Sequence, residues 1–200
     1  MKKRGFTLLE LMTVVVILII LSTVAVISYK KYMARARLEA GYGYVHLLRL
    51  REEQYYATYG MYVSSTNSPD DYYPSAYSSG AIPIGEQPWN IDCTAPQDNY
   101  AQAFCDLGFN PGATVTFGFV VMGWQPGNNV SPSCVKDTSK PWWLVKAITY
   151  GTKPISDTTT IDCYSLRVTS EHPMNVYEVY CEDCDQSCSA DKPCCKEDCL

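Results

Sequence analysis

No proline occurs before Pro69, no cysteine before Cys93, and no charged residue from Leu11 to Ile27 in this 200-residue chain. The first absence removes the strongest helix breaker from the opening third of the sequence. The second confines thiol chemistry to the C-terminal part. The third leaves a run interrupted only by Thr13, Ser22 and Thr23. With residues 6–9 added, it reaches the ~20 apolar residues that a helix rising ~1.5 Å per residue needs to span a bilayer. Serine and threonine hydroxyls can bond back to helix carbonyls, so they do not defeat that expectation. Enzyme signatures are missing as well. There is no nucleophile elbow, phosphate loop or paired-histidine motif, and the only histidines are His46 and His172. His46 is expected on a helix surface, and His172 in a turn before Pro173. No catalysis, resident metal or cofactor is expected. The formal charge of −5 offers no general attraction for nucleic acid.

What is present divides into four parts. Residues 1–5 form a basic leader, and 6–60 a long helix with a transmembrane segment over 6–28. Residues 61–112 read as loop, and 113–200 as an antiparallel sheet with a cysteine-rich C-terminal segment. Beyond the apolar run, Leu38, Val45, Leu48, Tyr55 and Tyr59 recur at spacings near three, four and seven, which suits one helix face on a core. Gly41 and Gly43 weaken that helix by ~1 kcal/mol each relative to alanine, and Gly60 is a C-terminal stop. Serine, proline, asparagine and glycine dominate residues 61–112, leaving room for one short strand or helical turn. Residues 114–123, 142–151, 161–170 and 175–181 are rich in β-branched and aromatic side chains and have short connections. The expected class is α+β: a helical spine, its N-terminal half in the membrane, packed on an antiparallel sheet with a disulfide-rich tail.

Ten cysteines follow the apolar run: Cys93, Cys105, Cys134, Cys163, Cys181, Cys184, Cys188, Cys194, Cys195 and Cys199. This density favours an oxidising compartment and disulfides. It also orients the span. Basic residues flank both sides (Lys2, Lys3 and Arg4 before; Lys30, Lys31, Arg35 and Arg37 after), so charge counting alone does not. The cysteines place the C-terminal side outside the cytoplasm. Zinc could occupy the tail spacings in isolation, but disulfides suit that compartment better. Glu182, Asp183, Asp185 and Asp191 lack an EF-hand spacing and read as solvated charges.

One residue does not fit an ordinary anchor. Glu10 stands near the entrance of the apolar run, where a carboxylate is costly without a partner or a function. Cleavage after Gly5 would supply a partner. The new terminus at Phe6 carries an ammonium at the positive end of a helix dipole, and Glu10 lies four residues on, ~6 Å along the axis. Glu10 could neutralise that amine or a neighbouring copy's. In a helical bundle such a pair also sets axial register, because a one-turn slip strands two charges.

The stretch "KKRGFTLLELM" resembles the class III signal of type IV pilins and of type II secretion pseudopilins. The likeness rests on the short basic leader, the glycine before the cut, the phenylalanine after it and the glutamate at the fifth mature position. It implies that a prepilin peptidase cuts between Gly5 and Phe6 and methylates the Phe6 amine. It further implies that Glu10, with Thr7 beside the amine, aligns each subunit in a growing filament. The implied partners are other pilin subunits, inner-membrane assembly machinery and, before assembly, membrane lipid. The implied fold is the pilin fold, with at least one disulfide clamping the C-terminal segment to the sheet. Many type IV pilins carry a glycine and a proline within this run, where Ile19 and Ile27 stand here, so a straighter helix is expected. The favoured function is a structural pilus subunit, held in the inner membrane and then extracellular. The alternatives are a secretion pseudopilin, or a minor or tip pilin whose head binds a ligand. For the last, Trp89, Trp124, Trp142 and Trp143 are the residues to examine, exposed clustering favouring binding and burial favouring a scaffold.

Overall fold

The computed structural model describes residues 8–68, 71–75, 85–96, 98–126, 139–152 and 161–181. Within these, the side chains of 24, 27, 30, 31, 34, 150–152, 161–164 and 177–181 lie outside the description.

A single helix, α1 (Leu8–Tyr59), runs unbroken through 52 residues. With no proline and with isoleucine at 19 and 27, nothing in the chain opens its hydrogen-bond ladder. Its end is chemical: Gly60 takes φ +71, and its N–H donates to the Tyr56 carbonyl at 2.8 Å. That is the left-handed stop a residue without Cβ accepts most easily.

The head is a four-stranded antiparallel sheet in chain order, β3 (Gly118–Gly123), β4 (Trp143–Thr152), β5 (Ile161–Thr169) and β6 (Tyr177–Cys181). A two-stranded piece precedes it, β1 (Gln87–Pro88) with β2 (Thr114–Val115). The register sets one row of side chains against the helix. Phe119 pairs with Ala147, which pairs with Leu166; Val121 pairs with Val145, which pairs with Val168. All six are buried in one core cluster with Val45 and Leu48 of α1. Burying each aliphatic side chain contributes ~1.5–3 kcal/mol. Val120, Met122 and Leu144 on the opposite face are buried too, so the sheet is covered on both sides.

The helix approaches the sheet closely at Gly41. A Cβ there would stand 2.5 Å from Phe117 Cζ and 2.9 Å from Leu166 Cδ1, both in fully buried side chains. At Gly43 a Cβ would meet nothing within 4 Å. The two glycines that read alike in sequence therefore have opposite roles. Gly41→Ala is expected to destabilise the protein by ~1–3 kcal/mol through overpacking. Gly43→Ala should stabilise it by ~0.5–1 kcal/mol. Urea midpoints of the two detergent-solubilised variants check both signs.

Residues 61–112 hold more order than their composition suggests. Helix α2 (Asn99–Asp106) is capped by Asp98, whose carboxylate accepts from the Ala101 N–H at 2.7 Å. The Asp98 cap, the Ala101–Phe104 spacing and Gly108 at φ +61 were the available signals. The segment following α1 runs along the outer edge of β3. Ser65 N–H donates to Val121 O, and Tyr73 and Phe119 exchange two backbone hydrogen bonds at 2.7–2.8 Å. Covering that edge removes a row of groups that would otherwise template aggregation.

Candidate assembly surface

The N-terminal half of α1 stands clear of the head. Every described side chain from Leu8 to Thr23 is exposed, the large apolar ones from 77 % at Leu8 down to 46 % at Val15. Burial on the head begins only near Leu38 and becomes complete at Gly41, Val45 and Leu48. An apolar surface this long needs a covering, by lipid or by other protein. Thr13, Ser22 and Thr23 donate their hydroxyls to the carbonyls of Glu10, Leu18 and Ile20 at 2.7–2.9 Å. The polar side chains in the run are thereby satisfied within the helix. Among the described residues no helix is long and apolar enough to cross a membrane. The unbroken run of described side chains from Leu8 ends at Thr23, Ala25 and Val26 are described and exposed beyond it, and the charge-free sequence continues through Val24 to Ile27.

Glu10 lies in the first turn of α1, on this exposed half. Gly5, Phe6 and Thr7 lie outside the described residues, as do the rest of the basic leader and the cut expected between Gly5 and Phe6. Arg35 and Arg37 are exposed where the apolar half gives way to the head.

On the head, Cys93 and Cys105 form a disulfide, with Cα atoms 5.4 Å apart and a sequence separation of 12. It ties the loop after β1 to α2, a closure of a size worth ~3 kcal/mol. Cys163 and Cys181 are register partners across β5 and β6. Cys134, Cys184, Cys188, Cys194, Cys195 and Cys199, with the tail acids, lie outside the described residues. His46 is half-buried on α1, and His172 is exposed in the turn between β5 and β6.

Trp89, Trp142 and Trp143 are buried, and Trp124 is half-buried against the same core. Trp89 packs on Tyr73, Phe104, Phe109 and Phe119 with ring centroids 4.9–6.0 Å apart. The tryptophans hold the head together rather than face outward. Two glutamates that the sequence does not single out join helix to head. Glu53 Oε1 accepts from Trp143 Nε1 at 2.6 Å. Glu52, fully buried, accepts from the Val63 N–H at 3.0 Å through Oε2.

Residues 1–26 match the family described as prokaryotic N-terminal methylation motif. A fimbrial protein of Pseudomonas aeruginosa is 27 % identical over 140 residues, covering 70 % of this chain and 90 % of that protein. A second fimbrial protein of Pseudomonas aeruginosa is 26 % identical over the same shares. No solved structure matches the chain. The chain is thus similar to fimbrial proteins over 70 % of its length and opens, at residues 1–26, with the N-terminal methylation motif of the class III prepilin signal.

Proposed function

We propose that the chain is a structural subunit of a type IV pilus filament. One observation carries the reading: a continuous helix whose first half is apolar and exposed all round, while its second half is fastened to a disulfide-bonded head. Such a helix has two solvents open to it. Before assembly it sits in the inner membrane with the head outside the cytoplasm. Afterwards it lies among other copies of itself, with the heads forming the filament's outer wall. Exchanging lipid for protein contact gains no large hydrophobic term, so association rests on packing and on the Glu10–amine pair. Burial of the tryptophans favours this scaffold role over a head that binds through them, and fimbrial relatives favour a pilus over a secretion pseudopilus.

Mass analysis of the protein from sheared surface filaments tests the proposal. The mature chain is expected to begin at methylated Phe6. A chain still beginning at Met1 would remove the amine on which assembly depends. A Cys163–Cys181 bridge belongs to the same reading, because directly opposed antiparallel residues have Cα atoms ~4.5–5.5 Å apart, inside the disulfide range. The same digest without reductant is expected to contain that linked pair.

A further inference from the structure

A cleft of 750 Å³ opens where the segment after α1 faces α2. That volume lies within the ~300–1,000 Å³ of small-molecule sites. Its walls come from the end of α1, from residues 61–68, and from Asp98 to Asp106. Three chemical facts narrow what it could hold. First, among the described residues no lysine, arginine or histidine lines it, so no described cation draws an anion there. Second, its polar lining is mostly hydroxyls and side-chain amides, Asn99, Gln102 and Gln125 among them, groups that both give and take hydrogen bonds. Third, Tyr55, Tyr62 and Tyr100 supply ring surface beside those groups.

The carboxylates in the wall do not make this a cation site. Asp98 already accepts from Ala101 N–H, Asp106 from Gln102 Nε2 at 2.7 Å, and Asp71 from Thr66 Oγ1 at 3.0 Å. Each is held by a neutral donor, Asp71 by the Tyr100 hydroxyl of the facing wall as well, and among the described residues no three acids converge as a cation site would need. A carboxylate still offers further lone pairs to hydroxyl donors. A ligand suited to this lining is neutral, carries many hydroxyls that donate and accept, and has an apolar face to lay on a tyrosine.

We propose that this cleft binds a neutral saccharide. Position supports the idea. Tyr55 lies 28 residues beyond Ile27 on α1, ~42 Å along the axis, so packing of the apolar half leaves the cleft uncovered. The site does not depend on filament assembly, and its test does not use filaments.

Full-length protein in a polyoxyethylene-ether detergent, which carries no sugar, is titrated by saturation-transfer NMR. The probes are neutral methyl hexosides and N-acetylhexosamines, glucuronate as an anion and spermidine as a cation. A saturable signal is expected from at least one neutral sugar and none from glucuronate. Asn99→Ala combined with Gln102→Ala, both at exposed α2 positions, should weaken it at least tenfold, and Gln102→Trp should abolish it by filling the cleft. Circular dichroism establishes that both variants keep the wild-type fold. Silence from every neutral sugar, binding of spermidine alone, or sugar binding unchanged in folded variants would each overturn the proposal.

Discussion

Glu10→Ala is expected to insert into the membrane normally and to be absent from filaments. Insertion should not suffer, because removing a carboxylate from an apolar helix eliminates a cost of up to ~2.5–3.5 kcal/mol at mid-membrane, and less near the interface. Assembly should, because α1 offers no other acid from Leu8 until Glu39. Apolar side chains on a uniformly exposed helix pack about equally well after a one-turn slide, so they confer little register. A single acid meeting a single amine does confer it, since a slipped neighbour leaves both charges without partners in a medium of low dielectric. Glu10→Gln separates charge from shape: it keeps the length and hydrogen-bonding capacity and should fail almost as completely. Immunoblots of membrane and sheared-filament fractions read both outcomes. Wild-type abundance of either variant in filaments would sink the pairing mechanism while leaving the helix–head architecture untouched.

The contrast between the helix and the head shows which physics a sequence displays. The spine was legible from its ends and its periodicity. A charge-free run, apolar spacing through Leu38, Val45 and Leu48, and Gly60 are local signals; the first two lie on the observed α1 and Gly60 directly follows its last residue. The strand runs were legible for the same reason, although residues 114–123 divide at Thr116 and Phe117 into β2 and β3 with different partners. What escaped depends on contacts distant in the chain. Gly41 reads as a helix weakener until Phe117 and Leu166, more than seventy positions away, arrive against it. Nothing local marks Glu52 or Glu53, and only the folded chain brings Val63 N–H to one and Trp143 Nε1 to the other. The cleft joins residues 61–68 to 98–106, and no pattern within either segment announces it.

Glu52 also makes stability depend on pH in a direction opposite to most carboxylates. Burial holds its carboxyl well above the ordinary carboxylate range, and the neighbouring Glu53 charge adds to the effect, while the Val63 N–H bond only partly offsets it. The folded state therefore keeps a proton that the unfolded chain has released. Glu52 contributes its full stability below the unfolded value of ~4.3, and that contribution is lost as pH rises toward the raised folded value. Across that window the slope is ~1.4 kcal/mol per pH unit. Glu52→Gln retains an oxygen for the Val63 N–H and cannot titrate. Its amide must also find acceptors where Oε1 of Glu52 has no hydrogen-bond partner among the described residues, at a cost of ~1–3 kcal/mol. Near pH 4 the wild type is the more stable, and the variant should gain on it as pH rises through the window in which folded Glu52 loses its proton. Urea denaturation of both proteins from pH 4 to pH 8 measures the difference directly, cancelling every other titrating group. Parallel curves would mean that the Glu52 carboxyl titrates alike in both states. The segment after α1, including the cleft wall it forms, would then be held by its backbone bonds to β3 rather than by this buried acid.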